Sequence, residues 1–543
     1  MNGAEALVAM LQAEGVPFIA ALCGNGLDPL LAAADRGGLP VIDSRNEQAA
    51  AYVADAYARL TGRLGVCAVS SGIAHVNALA GVANAAYDGA PLLLISGSSP
   101  SDGLGKGVFQ DMDQVALAKP LCKHAELVTD ADRIPRALHE AIEAACLGRP
   151  GPVHLTITVD ALEGEVSTNA VAQQGAVSRG GISPDAIDAG DISEALALLE
   201  EAQQPLIVAG SGVFYGAAGV ALEAFSRRTA TPVVTPIWER GVVDHGWDTY
   251  VGVVGAASGE PDLLGQADLL VLLGAQSDYR VGYLGSPPLQ RGCRTIWVGA
   301  EPQQRAPVDV TVMADIGAVL RRWSEGWASQ PHTGWLERAQ SLRDRFYQRW
   351  QGGAPDVEDG CMDGGALVRV LASELEDSDP EPVFLVDGGN IGQWAHMLLA
   401  WRRYPRHWLT CGASGVVGWG VPGAMAARLA YPERRVLLLS GDGSLGFGLA
   451  EFESAARQRL PFVAVVADDS AWGIVASGHE RRYGKRLSCS LGPADYAGAA
   501  AALGARGAHA KTPRELRAAI REAWERPCPT LIQVPVSPGG PVD

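Results

Sequence analysis

Short runs of aliphatic and β-branched residues recur along this chain, each followed by a stretch long enough for one helix. Residues 66–69 (Val-Cys-Ala-Val), 91–95 (Pro-Leu-Leu-Leu-Ile) and 153–157 (Val-His-Leu-Thr-Ile) set this grammar in a first block. Residues 205–209, 269–273 and 295–298 repeat it in a second, and 383–386, 436–440 and 462–466 in a third. Strands that alternate with helices pair in parallel, because a crossover helix returns the chain in the same direction. The expected fold is therefore α/β, with three doubly wound parallel-sheet domains over 1–165, 188–330 and 363–538. Polar and Gly/Pro-rich stretches at 163–187 and 351–362 read as linkers between them. A length of 543 residues accommodates such a plan. In open parallel sheets, ligands lie beyond the carboxyl ends of the strands. The residues that follow strands are thus where chemistry is expected.

Composition removes several function classes. The net charge of -18 leaves no basic stripe for nucleic acid. Nine scattered cysteines without a close Cys-x-x-Cys pair argue against a disulfide framework or a zinc site and fit a reducing, cytoplasmic setting. The first sixteen residues read as an amphipathic helix rather than a signal peptide. No apolar run is long enough to span a bilayer, so no membrane partner is expected.

The third block carries the most specific pattern. The strand at 436–440 ends in Gly441-Asp442-Gly443-Ser444, a helix is predicted over 446–459, and the strand at 462–466 ends in Ala467-Asp468-Asp469-Ser470-Ala471. The crossover places both acidic ends on one edge of the sheet. Asp442 and Asp469 can then share one hard cation, with a carbonyl from the turn, that of Ala471, as a third ligand. Mg²⁺ takes such oxygen ligands and keeps phosphate oxygens or water in its remaining places. The glycines beside Asp442 allow backbone N–H groups to approach a phosphate at the helix start. Taken alone, Gly-Asp-Gly is a turn and Asp-Asp a helix cap. The pair across one crossover helix is the informative feature.

These residues resemble the thiamine-diphosphate family whose motif opens with Gly-Asp-Gly and closes with Asn-Asn, here replaced by Asp468-Asp469. The substitution still supplies an oxygen for the metal, now from a carboxylate, and adds negative charge facing a diphosphate. The resemblance covers nearly the whole chain, down to the acetohydroxyacid synthase, benzaldehyde lyase and 2-oxoacid decarboxylase branches. It implies that the three blocks are pyrimidine-binding, middle and diphosphate-binding domains. Asn46-Glu47-Gln48-Ala49-Ala50 is similar to the family's His-Glu-Gln-Gly-Ala segment, which makes Glu47 the carboxylate that hydrogen-bonds the aminopyrimidine ring and promotes its imino tautomer. Without the third block, Glu47 reads as an acidic residue favoured by the helix dipole. Ser70-Ser71-Gly72-Ile73-Ala74-His75-Val76-Asn77 resembles a substrate-side turn, from which His75 can reach the substrate or serve the core. Phe109-Gln110-Asp111 resembles a segment whose Gln faces the reacting carbon. Asp387-Gly388-Gly389-Asn390-Ile391 resembles the loop that wraps the diphosphate, with Asn390 and Ile391 as contacts. Gly415-Val416-Val417 resembles the segment that bends the cofactor, Val417 as the wedge and the Gly415 carbonyl as acceptor for the amino group. Gly441, Gly443, Ser444, Trp472, Gly473 and Ile474 complete the implied cofactor set. In the family Glu47 and Asp442 meet across a subunit interface, so a homodimer or homotetramer is implied.

Among family reactions, Gly478 stands where the synthase carries a Trp. The stretch 441–473 and Asp113-Gln114-Val115-Ala116-Leu117-Ala118-Lys119-Pro120 look closest to benzaldehyde lyase, although Gly24-Asn25-Gly26 lacks that enzyme's His. The chain stops about seven residues after Val536, leaving little for the lid of acyl-CoA members. The expected activity is a lyase or carboligase that decarboxylates a 2-oxo acid and passes the acyl unit to an aldehyde or ketone. The alternatives are acetolactate synthase proper, a 2-hydroxyacyl-CoA lyase, or a non-catalytic cofactor-binding relative. Expected substrate-side residues are Asn25, Phe109, Gln110, Ile474, Ser477 and His479, with Glu47, Gln110 and His75 in catalytic roles. No flavin is expected, since Gly274-Ala275-Gln276-Ser277-Asp278-Tyr279-Arg280 only loosely resembles a flavin-side segment.

Overall fold

The computed structural model of the chain describes residues 1–168, 189–244, 246–301, 306–351, 355–378, 381–399 and 406–541. Three six-stranded sheets, all parallel, are each flanked by helices. The first runs, edge to edge, Val41–Asp43, Ile19–Leu22, Gly65–Val69, Leu92–Ser98, Pro152–Thr158 and His124–Val128. The third runs Trp408–Thr410, Val383–Asp387, Val436–Gly441, Val463–Asp468, Thr530–Pro535 and Arg506–His509. These two sheets have the same strand order, so each reverses winding between its first and third strands in sequence. That reversal opens a crevice at the carboxyl ends, between Leu22 and Val69 in one sheet and between Asp387 and Gly441 in the other. The middle sheet has its crevice between Pro205–Ala209 and Leu269–Leu273.

The first and third sheets share one apolar core. Helix Glu47–Thr61 packs its small-residue face, Ala50, Ala51, Ala54 and Ala58, against helix Ile73–Asp88 and against helix Gly420–Ala430 of the third block. A Cβ at Gly81 would stand 2.5 Å from Ala51 Cβ, so the two first-block helices touch backbone to backbone. The helix begins under the Asn46 side chain, which accepts from Gln48 N at 2.8 Å, and ends at the left-handed Gly62. No described helix is long and apolar enough to cross a membrane.

Two expectations need correction. The stretch 351–362, read as a linker, contains a hairpin: Val357–Glu358 pairs antiparallel with Cys361–Met362 around Asp359-Gly360, both at positive φ. Asp-Gly is the residue pair that such a turn favours, and the polar composition around it hid the signal. Residues 352–354 lie outside the described residues, as does most of the other expected linker, 169–187. The helix predicted over 446–459 begins earlier, at Asp442, and is broken into Asp442–Gly448 and Glu451–Arg457.

Candidate active site

Strand register assembles the third-sheet site. Asp387 is level with Ser440, and Gly441 with Ala467, so the segments after the three strands emerge side by side. A Cβ at Gly388 would lie 2.8 Å from Gly441 N, which keeps the crevice narrow. Asp387 is buried, and its carboxylate accepts from Gly420 N at 2.7 Å. Burial pushes that carboxyl up to about 6 against the backbone N–H groups that hold it down. Asp442 opens its helix, with Oδ2 buried and unpartnered among the described residues. Burial, and then the charges of Asp469 and Asp468, push the Asp442 carboxyl up to about 7. Asp469 is raised too, by burial and then by Asp468, against the Ala471 N–H and its contact with Asp442. At Gly473 a Cβ would meet Asp469 Oδ2 at 2.3 Å and Asn390 Nδ2 at 2.7 Å, so those two side chains converge over a glycine. Neither polar atom of the Asn390 side chain has a hydrogen-bond partner among the described residues.

A cavity of about 160 Å³ lies here. Asn390, Ile391, Val417, Gly441, Asp442, Gly443, Ser444, Asp469, Ala471, Trp472, Gly473 and Ile474 all line it, whereas Gly415 does not. Buried polar groups without partners cost free energy unless a ligand satisfies them. A buried carboxylate beside a half-buried one, a partnerless amide and a glycine-edged helix start fit a divalent cation carrying a phosphate. Among the described residues no three His, Cys, Asp or Glu side chains converge, so such a cation would draw on carbonyl and phosphate oxygens.

The first-sheet crevice holds a second cluster. Asn25 Nδ2 donates to Ser71 Oγ at 3.1 Å, and Ser71 Oγ donates to Gln110 Oε1 at 2.8 Å. Gly72 has a positive φ, and a Cβ there would lie 2.8 Å from Gln110 Cβ. Glu47, first residue of its helix and half-buried, accepts from Asn77 Nδ2 at 3.0 Å. Among the described residues none from the first block lines the third-sheet cavity.

The comparisons with known proteins bear on both clusters. Three family models match in order: Thiamine pyrophosphate enzyme, N-terminal TPP binding domain over residues 1–117, the central domain over 192–323, and the C-terminal TPP binding domain over 387–534. An acetolactate synthase large subunit from Parasynechococcus marenigrum (strain WH8102) is 31% identical over 99% of this chain and 88% of its own length. The chain belongs to the thiamine pyrophosphate enzyme family. A 2-hydroxyacyl-CoA lyase 2 from Caenorhabditis elegans is 29% identical, covering 93% of this chain and 84% of that protein. Acetolactate synthase isozyme 2 large subunit from Escherichia coli (strain K12) is 29% identical over 99% of this chain and 96% of that protein. Membership makes the chain a thiamine-diphosphate-dependent enzyme of the carboligase and lyase type.

Some site residues of this thiamine pyrophosphate enzyme stand elsewhere than the sequence suggests. His75 is fully buried, its Nδ1 2.9 Å from Ser96 Oγ and its ring 4.6 Å from that of His154. Burial holds its imidazole down at about 4, which places a neutral ring in the core of the first sheet. Phe109 is 73% exposed and lies in a turn. Ser477 Oγ donates back to Gly473 O at 3.0 Å, and the His479 ring packs on Tyr483. Neither lines the cavity.

Others were missed. Ser71 links Asn25 to Gln110, and Asn77 holds Glu47; both stand in the quoted turn, where Gly72 precedes a helix and polar residues face the strand ends. The tail, read as leaving little for a lid, contributes Ser537 and Gly539 to the cavity wall. A Cβ at Gly540 would lie 2.7 Å from Asn390 Oδ1, and Ser537 N is anchored on Met362 O at 3.0 Å. In the middle sheet, residues beside the crevice bond to one another. Gly212 N donates to Gly274 O, Glu239 accepts from Ser211 N and Oγ, and Arg280 is engaged by Asp278 and Glu239.

Proposed function

We propose that this chain cleaves or forms a carbon–carbon bond next to a carbonyl, taking an acyl unit from a 2-oxo acid or acyloin and passing it to a proton, an aldehyde or a ketone. The carrying observation is the Asp442–Asp469 pair beside the partnerless Asn390 in a glycine-edged crevice. Asp442, Asp469 and the Ala471 carbonyl would hold Mg²⁺, and the helix start at Gly441–Ser444 would receive the diphosphate with Asn390 and Ile391. Bound thiamine diphosphate supplies a nucleophilic carbon and an electron sink beside the donor carbonyl. Val417 would support the bent cofactor from below, with the Gly415 carbonyl on its amino group and Trp472, Gly473 and Ile474 closing the side. Glu47 would share a proton with the aminopyrimidine nitrogen, oriented by Asn77. Asn25 and Gln110, joined through Ser71, would orient the donor carbonyl and exclude water.

Glu47 and the first-sheet cluster would act on the cavity of a second copy. Supporting this, Ile73, Phe109, Met112 and Leu117 are exposed around the first-sheet crevice, with Ile73 59% and Phe109 73% exposed. Exposed apolar side chains grouped beside polar site residues fit a homodimeric or homotetrameric interface. Nine free cysteines fit a reducing, cytoplasmic compartment.

Gly478 replaces a bulky side chain of the synthase branch and leaves space, so donors larger than pyruvate are expected to be turned over faster. The test is a screen of 2-oxo acids of increasing size with Mg²⁺ and thiamine diphosphate, with and without an aldehyde, on the wild type and Glu47→Gln. Turnover of bulky donors that Glu47→Gln abolishes supports the proposal. Acetolactate from pyruvate alone, with other donors inert, would return the reading to the synthase. Cofactor uptake with no turnover of any donor would indicate a non-catalytic relative.

A further inference from the structure

Residues 411–419, between strand Trp408–Thr410 and helix Gly420–Ala430, carry Gly415 and Val417 toward the cofactor in the reading above. This loop is held by buried charged groups of the first block. Arg59, 1% exposed, donates through Nη2 to Thr410 O at 2.9 Å and through Nη1 to Cys411 O at 3.2 Å. It pairs with Asp88 at 3.0 Å and Asp55 at 3.5 Å, and lies 5.2 Å from the Trp419 ring centroid. Asp88 Oδ1 accepts from Ala413 N at 3.2 Å. Asn84, fully buried, donates to Cys411 O at 3.0 Å and to Asp55 Oδ2 at 2.8 Å, and accepts from Ser414 Oγ at 2.5 Å. Asp55 Oδ2 also accepts from Trp419 Nε1 at 2.9 Å. Gly412, at φ 120°, brings its backbone so near that a Cβ would lie 2.3 Å from Asp88 Oδ2. At Gly415, by contrast, a Cβ would meet nothing within 4 Å. The loop is thus clamped at both ends and open in the middle, on the stretch that would face the cofactor.

A buried ion pair contributes little net stability against an apolar replacement, because desolvation offsets the Coulombic gain. Charges placed on the loop's backbone define its position instead. We propose that Asp55, Arg59, Asn84 and Asp88 are positioning residues that fix residues 412–417 against the thiamine diphosphate of their own chain. Asp55 and Arg59 share one helix with Glu47, two and three turns further on. The first block therefore serves two cofactors: that of a second copy through Glu47, and its own through this cluster. The inference rests on the cofactor reading of Gly415 and Val417 given above.

The test compares wild type, Asp88→Asn and the milder Ser414→Ala as full-length enzymes. Calorimetry with Mg²⁺ gives the Kd of thiamine diphosphate, thermal melts of the cofactor-free protein give stability, and kinetics give kcat and donor KM. Asp88→Asn is expected to weaken cofactor binding about tenfold or more and lower kcat, with donor KM within about twofold, because misplacement of a positioned group is costly. Ser414→Ala loses one hydrogen bond and should weaken the cofactor about threefold with a small change in melting temperature. If Asp88→Asn fails to fold, Ser414→Ala decides. Wild-type cofactor affinity in the folded variants, whatever their melting temperatures, would overturn the positioning role alone. No uptake by the wild type would overturn the cofactor reading, and this inference with it.

Discussion

Two carboxylates brought together away from water require a cation between them or a proton on one of them. Asp442 and Asp469 meet that condition, with Asp442 pushed up to about 7. An amide at position 469 would give the site a neutral oxygen ligand and one negative charge fewer. Asp469→Asn should therefore demand more Mg²⁺ to bind cofactor, yet at saturating Mg²⁺ should hold thiamine diphosphate more tightly, by about tenfold, since one charge opposing the diphosphate is gone. Titration of cofactor at several Mg²⁺ concentrations separates the two effects; weaker binding at every concentration would contradict the argument. A different carboxylate reports on pH. Glu451 is buried and accepts from Arg45 N at 3.0 and 3.1 Å. Burial pushes its carboxyl from 4.5 up to about 7, against those contacts. The folded state binds this proton more tightly than the unfolded one, so stability falls as pH rises from 4.5 through about 7 and is level above. Glu451→Gln keeps an acceptor for Arg45 N and removes that slope. It should be more stable than wild type above pH 7, by up to about 3 kcal/mol, and no more stable near pH 4. Denaturant melts at a series of pH values check both limits.

At the scale of elements, what the sequence reveals is what local pattern controls. Aliphatic runs marked the central strands, and the residues after them marked the third-sheet crevice, because a parallel sheet with crossover helices leaves few placements for its strand ends. Element ends and side-chain directions were less legible. The helix after Gly441 starts at Asp442, because the Gly-Asp-Gly turn is the helix's own first turn. His75 faces inward because its position on helix Ile73–Asp88 points at Ser96 and His154 of neighbouring strands, a relation that exists only once the sheet forms. Gly72 shows how one residue joins two elements. It precedes that helix at φ 61°, and a Cβ would strike both Gln110 Cβ at 2.8 Å and Gln110 O at 2.9 Å. Gly72→Ala should cost about 1–3 kcal/mol in strain and should displace Gln110, lowering kcat/KM for the donor while leaving the affinity for thiamine diphosphate unchanged. Thermal melts and steady-state kinetics, with a cofactor titration alongside, measure these effects; an unchanged kcat/KM would detach Gln110 from the donor.

Across the whole molecule, the first and third sheets are joined in one core, yet among the described residues none from the first block reaches the cavity of the third. Helix Glu47–Thr61 is fixed along its length by helix Gly420–Ala430 and by Arg59, so Glu47 cannot swing toward its own chain's Asp442 without unpacking that core. If Glu47 serves a second copy, the two functions can be separated onto different chains. Glu47→Gln and Asp442→Ala homodimers should each be inactive. In a mixed dimer, one site combines both substitutions and the other has neither. Unfolding and refolding the two variants together in equal amounts should then restore about a quarter of wild-type turnover, half of the dimers being mixed and each carrying one intact site. A site built within one chain would give no recovery at any mixing ratio, because every chain would carry a lesion in its own site. Substituting Phe109→Asp in both chains should abolish the recovery as well, since a charge at this exposed apolar position opposes burial against a partner, and sedimentation of the same sample shows whether the loss follows dissociation.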